Sequence, residues 1–99
     1  MFQLRSVPVD VENFTATGGT KSLALTWDAL IPSDSSDQES WEITYGPTSG
    51  MRKMLNIPKS NSSYTLLALQ TGVEYTITLN FVGFDDLRSD GITTTGTPS

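Results

Sequence analysis

The 99-residue sequence contains neither cysteine nor histidine. The first absence excludes disulfides and thiol nucleophiles, and the second excludes imidazole acid/base chemistry; together they remove nearly every transition-metal site. Serine and aspartate are plentiful, but without histidine a hydroxyl has no ordinary base to activate it, and no motif assigns that role to a lysine. Neither an enzyme activity nor a cofactor or metal site is expected. The core must hold by packing alone, and cysteine usage does not separate a secreted chain from a cytosolic one.

Positive charge is scarce as well. Six Lys and Arg stand against eleven Asp and Glu, a formal net charge of -5, and only Arg52 and Lys53 are adjacent. Nucleic acids and anionic membranes are recognised by clustered cations that displace counterions, so neither is expected as a partner. Long apolar runs are missing too: none approaches the roughly 20 residues that cross a bilayer, and no membrane insertion is expected. The opening MFQLRSVPVD lacks the charged and continuous apolar regions of a signal peptide, so an extracellular chain would be a segment of a longer one.

What is present is a series of short β-rich runs about every ten residues, separated by Gly, Pro, Asn, Asp and Ser, the spacing of an all-β sandwich or barrel. A chain of this length supports one core and therefore one domain. Val9 and Val11 begin an alternating run from which Phe14 falls out of step, so a β-bulge near Asn13 is needed on what reads as an edge strand. Leu23, Leu25 and Trp27 alternate with Ala24 and Thr26, and a long loop over residues 28–40 follows. Trp41, Ile43 and Tyr45 form a third strand ending at Gly46-Pro47. Residues 51–57 form a weaker one closed by Pro58, and Tyr64 and Leu66 mark a fifth. Tyr75, Ile77, Leu79 and Phe81 give the longest and clearest alternation, which predicts a central strand, and Thr-rich residues 92–97 complete seven.

The stretch Leu69-Gln70-Thr71-Gly72-Val73-Glu74-Tyr75 places a Leu, a turn Gly and a Tyr just before the central strand. It resembles a tyrosine corner, in which a phenol covers the core while its hydroxyl bonds back to the crossing turn. Together with Trp27 closing the second strand, Ser22-Leu23, Trp27-Asp28-Ala29, Trp41-Glu42-Ile43-Thr44-Tyr45-Gly46, Thr76-Ile77-Thr78 and the opening Pro8, this resembles a fibronectin type III domain, of the kind repeated in fibronectin and tenascin. Thr71 stands where the corner usually carries Pro, the first long loop is extended, and the Trp-Ser-x-Trp-Ser signature of cytokine receptors is absent.

The resemblance implies a seven-stranded antiparallel β-sandwich of immunoglobulin-like kind over residues 8–97, with residues 1–7 and 98–99 as linkers and Trp27, Leu69 and Tyr75 as structural residues. It implies a non-catalytic, extracellular interaction and spacer module of a multidomain matrix or cell-adhesion protein. Such a module is a monomer in isolation, has tandem neighbours and termini at opposite ends, and takes a protein partner such as a cell-surface receptor. The same fold also serves as an accessory module of secreted carbohydrate-active enzymes and as an engineered scaffold for binding loops.

In the family's arrangement residues 28–40, 59–63 and 83–91 form loops at one pole. Seven of the eleven acids, namely Asp28, Asp34, Asp37, Glu39, Asp85, Asp86 and Asp90, fall in them. They suit a solvated pole, a docking face for a basic partner, or a weak Ca²⁺ site without EF-hand spacing. The last of these loops reads FDDLRSDG, where adhesive repeats carry Arg-Gly-Asp. Arg88 and Asp90 supply the guanidinium and carboxylate that integrin recognition needs, but Ser89 replaces the permissive glycine, and Asp90-Gly91 also suits a plain hairpin turn. Phe84 and Leu87 offer an apolar anchor for a partner or a cover for the sandwich end. Asn13-Phe14-Thr15 and Asn61-Ser62-Ser63 are glycosylation sequons.

Overall fold

A computed structural model describes residues 13–28, 38–83, 88–89 and 91–99. Seven strands occur among them: β1 (Thr15–Gly19), β2 (Ser22–Thr26), β3 (Gln38–Pro47), β4 (Lys53–Pro58), β5 (Ser63–Leu66), β6 (Tyr75–Gly83) and β7 (Ile92–Gly96). They form a three-stranded sheet in the order β1-β2-β5 and a four-stranded sheet in the order β4-β3-β6-β7, every pairing antiparallel. The two sheets face each other as a sandwich. β6 is interior to the larger sheet, as its long alternation predicts, and its Tyr75, Ile77, Leu79 and Phe81 are all buried against the facing sheet.

Alternation sets which residues meet between the sheets. Leu23 and Leu25 on β2 face Trp41 and Ile43 on β3, Ile57 on β4, and Tyr75, Ile77, Leu79 and Phe81 on β6, all buried. An aromatic chain crosses the core: Phe14 to Trp27, Trp27 to Trp41 and Trp41 to Phe81 meet edge to face with centroids 6.1, 5.7 and 6.1 Å apart. Rings in this geometry set a positive edge against a negative face. Both indole N–H groups are buried without a hydrogen-bond acceptor, so the tryptophans serve as packing volume.

The bulge expected near Asn13 falls partly outside the described residues, as do Val9 and Val11; Phe14 is buried and follows Asn13 in a left-handed conformation, φ 58°, which asparagine tolerates, and the first described strand is Thr15–Gly19. Two expectations are corrected. β3 starts at Gln38, where its pairing with β6 is irregular between Gln38 and Ser40; the preceding loop is correspondingly shorter. Residues 98–99, read as a linker, belong to the folded unit: Pro98 is fully buried and Ser99 donates its amide to the Gly19 carbonyl at 2.9 Å.

Candidate functional site

β6 carries a polar assembly at each of its ends, and the two differ in kind. At the Gly83 end the chain returns from the β6–β7 loop and lies back along β6, with Arg88 bridged to Val82. Ser89 is 5% exposed and is held by three hydrogen bonds. Its amide donates to the Phe81 carbonyl at 3.0 Å, its hydroxyl accepts the Phe81 amide at 2.9 Å, and its carbonyl accepts from Asn80 Nδ2 at 2.8 Å. The Cβ that distinguishes this residue from glycine therefore carries an acceptor for a buried backbone donor, which would otherwise be costly to leave unpaired.

Arg88 reaches across the outer face of the four-stranded sheet and meets Glu42 on β3, Nη2 to Oε2, at 3.2 Å. The arginine side chain is 43% exposed and the carboxylate only 8%. The pair is thus anchored on its acidic side: losing the arginine would strand a desolvated carboxylate, whereas losing the carboxylate would leave a guanidinium that water can solvate. Arg88 is the one member of the proposed adhesive group whose surroundings are described. Phe84, Leu87 and Asp90 lie outside the described residues, as do Asp34, Asp37, Asp85 and Asp86 of the acidic pole.

Sequence reading passed over Glu42 and Asn80. Both sit at outward positions of alternating strands, where a polar residue signals nothing beyond solvent. It is register that makes them specific: Glu42 stands directly opposite Asn80, and the returning loop covers both. No local pattern in the sequence contains that register or the contact it permits between Arg88 and Glu42, residues 46 positions apart.

At the Tyr75 end the tyrosine corner is realised. The Tyr75 hydroxyl accepts the Gln70 amide at 2.8 Å, with Leu69 buried beside it and Gly72 at φ 79°. That positive φ is a conformation glycine adopts without a side-chain clash. Residues 97–99 close over this corner. The Gly72 amide donates to the Pro98 carbonyl at 3.0 Å, Thr71 Oγ1 donates to the Ser99 carbonyl at 3.2 Å, and the Leu69 amide donates to the Lys21 carbonyl at 3.0 Å. At Gly18 the Thr97 carbonyl comes so near that a Cβ would collide with it. Thr71, in the place where the corner usually has proline, thus offers a hydroxyl donor to the closing segment.

The two sequons are placed differently. Asn13 is exposed, and its Nδ2 donates to the Asp28 carboxylate at 2.8 Å. Asn61 is half-buried in the turn between β4 and β5, its Nδ2 3.4 Å from the Ser63 carbonyl. Trp27 anchors that turn, donating its amide to the Ser62 carbonyl at 3.1 Å.

A family model described as Fibronectin type III domain matches residues 8–93. Among solved structures, the fold is similar to the fn3 domain of the human collagen alpha-1(XX) chain, with a TM-score of 0.81, 23% identity, and 98% of this chain and 90% of that chain covered. It is also similar to a two-domain fibronectin type III segment from chicken tenascin, with a TM-score of 0.77 and 25% identity, covering 89% of this chain and 48% of that one.

Proposed function

Because the chain belongs to the fibronectin type III domain family, whose members are generally non-catalytic and commonly serve as modules of multidomain proteins, we propose that it is a load-bearing spacer and interaction module of an extracellular matrix or cell-surface protein. One observation carries this reading: the segment at Pro98 and Ser99 is clamped to β1 and to the tyrosine corner, so a following segment would leave in a direction set by the core. Tension applied beyond Ser99 would meet Pro98 in its buried seat before it could peel β7 away. The interaction role is assigned to the β6–β7 loop, with Arg88, Asp90, Phe84 and Leu87 facing a receptor.

The spacer reading is tested by pulling a tandem array of identical copies joined through Ser99. Each copy is expected to unfold in a single event that releases the whole sandwich. Early release of a short terminal segment at low force, before the sandwich opens, would overturn it.

A further inference from the structure

We propose that the cavity beside the tyrosine corner is a docking site for an acidic protein segment that presents one bulky apolar side chain. The cavity, about 260 Å³ in volume, lies between the turn joining β3 to β4 and the crossing from β5 to β6, and Tyr45, Met51, Lys53, Leu67, Leu69 and Gln70 line it. Small-molecule sites span roughly 300–1,000 Å³, so this space suits a side chain better than a whole ligand.

Its rim is apolar and outward. Leu67 is 70% exposed and Met51 90%, two of the three large hydrophobic residues left in solvent among the described residues. Leu66 and Leu69 on either side are buried, and the switch between them is made by Ala68 in a left-handed conformation, φ 58°. Non-glycine residues disfavour that region, and such strain gathers where a surface is used. Methionine adds a flexible, polarisable wall of the kind common on binding surfaces.

Charge selects the occupant. Lys53 lines the cavity, exposed Arg52 adjoins it, and no acidic residue is among the described lining. Of the described acids, Asp28 is held by Asn13 and Glu42 by Arg88, while Glu74, next to the lining Tyr75, is hydrogen-bonded to Thr48. In a chain of net charge -5, this adjacent basic pair borders a cavity walled in part by Met51, Leu67 and Leu69, which is complementary to a carboxylate-flanked Leu or Phe. The site lies at the opposite end of β6 from Arg88. It extends the interaction reading to a second surface, and its failure would leave the pulling test untouched.

The probe is a fluorescein-labelled peptide with a central Leu-Phe pair and two aspartates on each side, titrated by anisotropy and by amide shifts. Saturable binding with shifts at Met51, Lys53 and Leu67 is expected. Lys53→Glu should weaken it about tenfold, and Leu67→Ser or Met51→Ser about fivefold, with unfolding midpoints unchanged because these side chains are exposed. A peptide with Ala-Ala at its centre, or with lysine flanks, should bind at least about tenfold more weakly. No binding up to about 1 mM, or equal binding of either control peptide, overturns the proposal. So does co-sedimentation with phosphatidylserine vesicles that Leu67→Ser abolishes, which would assign the surface to lipid.

Discussion

At the scale of the residue, one hydroxymethyl group governs the return of the β6–β7 loop. Ser89 Oγ accepts the Phe81 amide, and that amide faces the loop rather than β3, so no other strand can take it over. We expect Ser89→Gly to destabilise the domain by about 2–3 kcal/mol, from a buried donor left without an acceptor together with the wider conformational freedom of glycine in the unfolded chain. Urea unfolding should show a lower midpoint at an unchanged slope, and the Phe81 amide should exchange faster. An unchanged midpoint would mean that water replaces the hydroxyl. Sequence reading identified Ser89 as a departure from Arg-Gly-Asp and counted its Cβ as an obstruction. What it could not supply was the neighbour across the loop, which converts the same atom into a support.

At the scale of the element, alternation proved a sufficient guide wherever a strand has neighbours on both sides. β2, β3 and β6 lie where their alternating apolar residues indicate, and the tyrosine corner forms on the residues that suggested it. The edges were less legible. Thr15–Gly19 carries no alternating large residues, its pattern being one half-buried alanine among threonines and glycines, and its place in the sheet comes from pairing with β2. The closing segment was hidden for a related reason: Pro98-Ser99 reads as a linker by composition, and only the approach of Thr97 to Gly18 and of Pro98 to Gly72 reveals that it is packed. Pro98→Ala should therefore cost about 1.5 kcal/mol, the worth of two buried methylenes, visible in the urea midpoint. Faster exchange of the Gly72 and Ser99 amides should accompany it. A true linker would give no change in either measurement.

At the scale of the whole molecule, the two ends of β6 are held differently. The Tyr75 end is closed by backbone hydrogen bonds and a buried proline, whereas the Gly83 end adds to the Ser89 hydrogen bonds a charged contact, the half-exposed Arg88 on a buried carboxylate. A receptor that offers Arg88 an acidic pocket must compete with Glu42, which already holds it. If an ion pair with one exposed partner is worth about 1 kcal/mol, releasing Arg88 raises the apparent affinity for such a receptor about fivefold. On the proposed reading, Glu42→Gln should strengthen cell attachment to the immobilised domain while removing the competing charge, and Arg88→Ala and Asp90→Ala should each abolish it. Circular dichroism of each variant must show the same folded signal, because Arg88→Ala leaves Glu42 without its counter-charge and its loss of attachment counts only if the sandwich stands. Glu42→Gln keeps the side chain's volume and one acceptor oxygen, so its gain cannot be ascribed to unfolding. Equal attachment by all four proteins would show that this loop does not meet a receptor through Arg88 and Asp90, and the guanidinium would then be a clasp for the returning chain.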